Sequence, residues 1–417
     1  MQERTSGSGA GREMSSVNDD HEHTHVSPHT VAGATILQIV PALREEPTAR
    51  MAVNVASALV QAGARALVAG ADGPLVAELQ GFGGEWIALT NDTANPITLW
   101  RGARQLERLI ASEQVDIAHA QSPGGAWMAN MAAAQIPVRL VTTLPDLPAA
   151  GFRAYWMAGL ARGDWIITPS NFAAAPTLAR HALPRERITV IPPTIDTAAF
   201  DPAAVDAARV EALRAAWRIP SDARILLVPG RVSPWNGQRI LPDVARILRD
   251  EGVRGFVFVL AGEYRTHRKH ARSIAREANA KGVQALVRLT GHCRDMPAAF
   301  AAADTVVVPA IKAPVFGRVV AQAQAMGRPV VTSELGILSE HVATPPEMPE
   351  EVRTGWLAKP GDATEFARAI SASFSLDEVA YRTMAARARQ FAEYMFSPAS
   401  AVTATHAVYN ALLARDI

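Results

Sequence analysis

This chain reads as an α/β protein of two units, each a parallel sheet covered by helices on both faces. Three observations carry that reading. Short apolar or β-branched runs alternate with helix-like segments from about residue 35 to the end, and such alternation makes parallel sheets. The alternation is interrupted once, over residues 193–220, by Pro192-Pro193, Phe200-Asp201-Pro202 and Pro220, which are chain breakers. At 417 residues the chain also exceeds what one ordinary core holds.

Taken in order, strand-like runs are expected at Thr35–Val40, Arg65–Val68, Glu85–Leu89, Asp116–Ala120, Val138–Leu144, Trp165–Pro169 and Ile188–Pro192. Helices are expected between them at Ala49–Ala62, Pro74–Gln80, Ile97–Ser112, Gly125–Ala134, Phe152–Ala161 and Phe172–His181. Leu99, Leu106, Leu109 and Ile110 share one face of the third. Phe152, Tyr155, Trp156 and Leu160 form a stripe read as core-facing, although the spacing also suits an interfacial membrane face. A short helix, Ala207–Trp217, precedes the restart.

The second half gives strands at Arg224–Val228, Phe256–Leu260, Val287–Thr290, Val306–Pro309, Val330–Thr332 and Trp356–Lys359. Its helices are Ile240–Arg249, a basic segment from Arg265, Arg318–Met326, Ala363–Phe374, Asp377–Phe391 and Pro398–Ala414. Val306–Thr332 shows the unit most plainly. An apolar strand runs into a Pro-containing loop, and Gly317 opens a helix free of Pro and Gly. Gly327 and Pro329 then stop that helix before the next strand. Ligands of such units gather where strands end and helix N-termini begin. No strand is followed by G-x-G-x-x-G, so a dinucleotide fingerprint is not supported.

Composition narrows the function. A net charge of +1 implies no general attraction to nucleic acid or an anionic membrane. One cysteine, Cys293, makes neither an internal disulfide nor a cysteine-based zinc site, which suits a reducing cytoplasm. No apolar run approaches a membrane span, and the N-terminus lacks a signal-peptide centre. Residues 1–33 read as a disordered polar tail, although its His21, His23, His25 and His29 also have the alternation of a divalent-metal binder.

Phe316-Gly317-Arg318-Val319-Val320 and Ala323-Gln324-Ala325-Met326-Gly327-Arg328-Pro329-Val330-Val331 resemble the C-terminal nucleotide-binding text of family 4 (group 1) glycosyltransferases, retaining enzymes of the GT-B fold. The resemblance covers roughly residues 35–414. It implies two Rossmann-like domains with parallel sheets facing a central cleft. The corresponding division is a 1–33 tail, a 34–196 acceptor-side domain, a 197–220 linker, a 221–395 nucleotide-sugar domain and a 396–417 terminal helix.

The same resemblance implies roles. Arg231 (in Gly230-Arg231), Asn236 and Gly336 fall where the family binds the donor diphosphate, Asn236 standing in place of a lysine. Phe316, Gly317, Arg318 and Gln322 fall on the donor sugar and ribose, His292 and Cys293 near the base, and Gln121 and Asp146 on the acceptor side. The family's two glutamates fall on Pro314 and Gln322, its sugar-proximal histidine on Pro145, and its glycine-rich first loop on Arg44-Glu45-Glu46-Pro47. Arginine suits phosphate because its planar fork makes paired hydrogen bonds. His119 reads as a packed strand residue rather than a base, and Cys293 as a small packed residue rather than a nucleophile.

Two functions follow. One is transfer of a sugar from a nucleotide-sugar to a glycan or lipid-linked acceptor, needing no metal or other cofactor, at or near the inner face of the membrane. The other is a catalytically degenerate relative that binds a ligand or a partner protein. The distinguishing feature is whether Arg231, Asn236 and Gln322 converge on a phosphate-sized hollow free of acidic or apolar filling.

Overall fold

The computed structural model describes residues 30–145 and 151–414. Its first sheet has seven strands: β1 (Thr35–Ala42), β2 (Arg65–Ala71), β3 (Glu85–Ala88), β4 (Ile117–Ala120), β5 (Arg139–Thr143), β6 (Trp165–Thr168) and β7 (Ile188–Val190). All pairs are parallel, in the order β3-β2-β1-β4-β5-β6-β7. The connecting helices are α1 (Pro47–Gln61), α2 (Leu75–Gly81), α3 (Pro96–Glu113), α4 (Pro123–Ala133), α5 (Gly151–Met157) and α6 (Asn171–His181). After α7 (Ala207–Ala216) comes the second half: β8 (Arg224–Pro229), α8 (Leu241–Asp250), β9 (Phe256–Ala261), α9 (Arg268–Ala280), β10 (Val287–Gly291), α10 (Met296–Ala301), β11 (Thr305–Val308), α11 (Arg318–Ala325), β12 (Val330–Ser333), α12 (Ile337–Glu340), β13 (Gly355–Ala358), α13 (Ala363–Phe374), α14 (Glu378–Phe396) and α15 (Pro398–Leu413). These six strands are parallel in the order β10-β9-β8-β11-β12-β13.

Winding therefore reverses between β1 and β4 in the first sheet and between β8 and β11 in the second. A crevice opens at the carboxyl ends of strands where winding reverses. Both faces of both sheets are covered, which is why the strands read as continuous apolar runs rather than alternating ones. On one face of the first sheet Ile36, Val40, Val68, Ile117 and Val141 pack with α1; on the other, Leu37, Leu67, Ala118 and Leu140 pack with α3 and α4. The last helix, α15, joins the first sheet: Ala401, Val408, Tyr409 and Leu412 sit in the same cluster as α1.

The junction is packed rather than loose. Ile195, Ala321, Ala325, Ala392 and Phe396 form a small core of their own, and Ile195 N–H donates to the Phe396 carbonyl at 2.9 Å. Arg389 on α14 reaches Asp201 at 3.0 Å and the Ala325 carbonyl at 2.9 Å. Glu340 at the end of α12 accepts from the backbone N–H groups of Asn171 (2.7 Å) and Phe172 (2.6 Å) in the first turn of α6. A carboxylate there satisfies donors that the helix itself leaves unpaired.

The stripe on Phe152–Ala161 needs correction as a core-facing one. Phe152 is 70% and Tyr155 63% exposed, and only Met157, Leu160 and Ala161 enter the core. The α-helix ends at Met157 and tightens into a 3-10 turn at Ala158–Ala161. The periodicity that would align all four large residues therefore does not persist. Two short helices, α10 and α12, are additions to the elements expected from sequence, being too brief to show a period.

Candidate functional site

Each sheet ends in a hollow. The first, of about 250 Å³, lies where β1, β4, β5 and β6 end. Gln38, His119, Gln121, Thr143 and Thr168 supply its polar lining; Met51, Val55, Ile167, Ile191 and a run of prolines supply its apolar wall, with Ala401 and Thr405 of α15. Phe316 and Arg318 of the second half close it.

The polar groups here are held by one another. The fully buried Gln38 donates to the Ala52 carbonyl at 2.8 Å and accepts from the Gln121 amide at 3.0 Å. His119 Nδ1 lies 2.7 Å from the Tyr409 hydroxyl and Nε2 2.8 Å from the Thr143 hydroxyl. Burial pushes the His119 imidazole down to about 3 and the Tyr409 phenol up, since a low-dielectric site penalises the charged form. His119 is thus neutral at neutral pH with both ring nitrogens engaged, so it positions the floor of the hollow and is not a free base.

The second hollow, of about 320 Å³, lies where β8 and β11 end. Its lining runs from Val228 to Gly230, from Val308 to Ala310, and from Pro314 to Val319, with Asn236, Gln238 and Leu338. The turn before α8 packs directly on the loop after β11. Gly237 has φ +71°, and a Cβ there would lie 1.6 Å from the Pro309 carbonyl oxygen, so only glycine fits. Ile311 N–H donates to the Trp235 carbonyl at 2.9 Å across the same seam. The Asn236 amide donates to the Arg231 carbonyl at 2.6 Å, and the Gln238 amide to the same oxygen at 3.0 Å.

The expected site residues separate into groups. Asn236, Phe316, Gly317 and Arg318 line the second hollow, and Gln121 lines the first. The Arg231 side chain is exposed, lies outside both linings, and its charge is felt by Glu263. Gln322 is half-buried on α11, also outside both. Arg231, Asn236 and Gln322 do not converge on one hollow. No acidic side chain lines the second hollow, and its apolar walls bound a space without filling it. Gly336 caps α12 with φ +58°, against Ala313 and Phe172. His292 is exposed; the Cys293 thiol is buried 3.3 Å from the Asp295 carbonyl, and burial pushes its pKa up. Asp146 lies outside the described residues, as do His21, His23, His25 and His29.

Arg318, at the first position of α11, lines both hollows and is the one charged side chain in either lining. Its guanidinium lies 5.5 Å from the Phe316 ring centre. Its Nε is shielded from solvent with no hydrogen-bond partner, and no carboxylate pairs with it among the described residues. Burial lowers its pKa from the ordinary arginine value. Sequence reasoning missed Gln38, Gln238 and the α15 residues. The glutamines carry no local signal, and nothing in α15 says which sheet it covers.

Residues 48–199 match the family described as Glycosyltransferase Family 4, and residues 223–375 the one described as Glycosyl transferases group 1. Both models describe glycosyltransferases, one over part of each half of the chain. Among curated proteins it is similar to the D-inositol 3-phosphate glycosyltransferase of Mycolicibacterium smegmatis, at 31% identity over 251 residues, covering 59% of this chain and 52% of that one. It is also similar to the protein of the same name from Kineococcus radiotolerans, at 32% identity over 156 residues, covering 36% of this chain and 35% of that one. The matches thus span about half or less of these relatives. Among solved structures, a glycosyltransferase from Rickettsia africae superposes with a TM-score of 0.75 at 24% identity, covering 92% of this chain and all of that one. Anabaena HepE, solved with UDP and glucose, superposes with a TM-score of 0.67 at 20% identity, covering 91% of this chain and all of that one. These likenesses establish the GT-B fold of this chain. Among the described residues no helix is long and apolar enough to cross a membrane, and no His/Cys/Asp/Glu group of three is placed to hold a metal.

Proposed function

We propose that the protein transfers a glycosyl group, with retention, from a nucleotide-sugar in the second hollow to a hydroxyl of an acceptor in the first. One observation carries this reading: the two hollows share Phe316 and Arg318 as a common wall, so ligands in them meet at one place. In the reaction the bond from the anomeric carbon to the diphosphate oxygen breaks, and its electron pair stays on phosphate. The acceptor oxygen bonds to that carbon and its proton passes to the departing phosphate. The protein's task is positioning and charge stabilisation. The similar Anabaena protein was solved with UDP and glucose and the curated relatives are named for a phosphorylated polyol acceptor, which supports a nucleotide-sugar donor and a small polar acceptor head. The apolar wall of the first hollow supports an acceptor with an apolar portion, such as a glycan on a lipid carrier at a membrane face in polysaccharide assembly.

Calorimetric titration with UDP, GDP, ADP and their sugar conjugates tests the donor site. Transfer of labelled sugar, with the product's anomeric configuration read by NMR, tests the reaction. The absence of binding to any of these nucleotides overturns the reading.

A second reading, a non-catalytic binding relative, is favoured by the failure of Arg231, Asn236 and Gln322 to converge on one hollow, by Pro314 and Gln322 at the two family glutamate positions and by the Asn236 amide being tied to backbone. Nucleotide binding without transfer or donor hydrolysis would favour it over the first.

A further inference from the structure

We propose that the basic segment 265–276 steers the anionic donor toward the second hollow, setting how fast it arrives rather than how tightly it is held. The inference rests on the transfer reading above. The segment abuts the loop that lines that hollow. Val232 N–H donates to the Glu263 carbonyl at 2.9 Å, and a Cβ on Gly262 would lie 1.8 Å from the carbonyl oxygen of Gly230, a lining residue. The His267 ring meets the ring of Trp235 edge-on at 5.2 Å, next in the chain to the lining Asn236.

The charge here is concentrated and unpaired. Between residues 263 and 276 stand five cations, Arg265, Arg268, Lys269, Arg272 and Arg276, against one carboxylate, Glu263. All five are exposed, and none makes an ion pair or a side-chain hydrogen bond among the described residues. Glu263 instead accepts from the Thr266 N–H and hydroxyl, each at 3.1 Å. The arrangement works against the helix that carries it. Arg268, Arg272 and Arg276 recur at four-residue intervals on α9, where like charges repel. Arg268 and Lys269 stand in its first turn, at the positive end of the helix dipole, with no acidic residue there and no side-chain cap. Other helices balance their arginines internally: Arg104 with Glu107 on α3, Arg246 with Asp250 on α8, and Arg382 with Glu378 on α14. On α9 the single carboxylate, Glu277, is taken by Arg239 from outside the helix. Charge set against the local rules of its own helix points to a task outside that helix. The whole chain carries only +1, so this is a local field beside the hollow. Such a field raises the arrival rate of a ligand of opposite charge.

The test is stopped-flow binding of fluorescently labelled UDP, GDP and ADP to the full chain. The variants are Arg265→Gln/Arg268→Gln/Arg272→Gln and, as a control, Arg101→Gln/Arg104→Gln/Arg108→Gln, which removes the same charge from α3 of the first half. At an ionic strength of about 10 mM, where fields reach about 30 Å, the first triple should slow association about 5- to 10-fold and leave dissociation within about twofold. The α3 triple should stay within about twofold of wild type in both rates. At about 1 M salt, with a screening length of about 3 Å, the difference should vanish. Thermal melting should find the first triple no less stable than wild type, since it relieves repulsion along α9. Association unchanged in the first triple, or slowed equally in both, overturns the inference and leaves the transfer reading intact. So does an effect confined to dissociation, which would make these residues contacts of the bound donor. A wild type that binds none of the three nucleotides overturns the transfer reading, and steering with it.

Discussion

The two hollows are of similar size but handle polarity in opposite ways. In the first, the polar side chains satisfy each other: Gln121 on Gln38, and His119 between Tyr409 and Thr143. In the second, Asn236 and Gln238 turn inward to the Arg231 carbonyl, and the charge is left to Arg318 at the rim. The floor of the first is therefore a neutral mould of mutually satisfied dipoles, with Arg318 of the second half at its wall. The second is a largely apolar shell whose side-chain amides are turned to backbone, with Arg318 as the cation in its lining.

Breaking the geometry of the second should have the largest effect. Gly237→Ala forces a Cβ onto the Pro309 carbonyl, so the turn must move by an ångström or more. Misplacement of that size costs about 100-fold in rate, which a transfer assay would read. Removing the brace of the first comes next. Tyr409 is fully buried, and Tyr409→Ala should lower stability by about 3–5 kcal/mol in chemical denaturation. Tyr409→Phe keeps the ring but strips the hydroxyl from His119, for a loss of about 1–3 kcal/mol. If Tyr409→Phe were neutral, the mould would owe its rigidity to packing alone.

Acid should loosen the neutral mould in a predictable window. Burial holds His119 at about 3, and His341, beside the Gly317 carbonyl on the second half, at about 4. Both lie below the ordinary histidine value, so the unfolded chain takes up protons before the folded one. The stability conferred by the neutral rings is complete above about pH 6.5 and falls as pH drops toward 4. Denaturation midpoints measured between pH 7 and 4 should show this slope, and His119→Gln should flatten part of it. The smallest expected effect sharpens the contrast from the other side. Asn236→Lys adds a cation to the shell and should tighten nucleoside diphosphate binding by about 2- to 10-fold; a weaker complex would mean that the Asn236 amide is needed where it is.

Much of the fold was legible because it is written locally. The apolar strand Val306–Val308, Gly317 ahead of α11, and Gly327 with Pro329 after it each act within a few residues. The candidate site was less so, because its decisive features are directions and distant contacts. The Gly230-Arg231 pair is recognisable in sequence, yet nothing there says that the side chain is left outside the lining of the second hollow. Gln38 and Gln121 are 83 residues apart and become partners only when β1 and β4 are neighbours. Arg318 was visible as part of the Phe316-Gly317-Arg318 motif, but its position between two hollows is a property of how the halves meet.

The return of α15 to the first sheet bears on synthesis. Domains emerging from a ribosome generally fold in the order they are made. Here the seven strands of the first sheet are translated long before the helix that covers Ile36, Val40 and Val141. His119 waits for Tyr409, made 290 residues later. The half that is born first is finished last, and until then the part of that face not covered by α1 stays open to chaperones or to other chains.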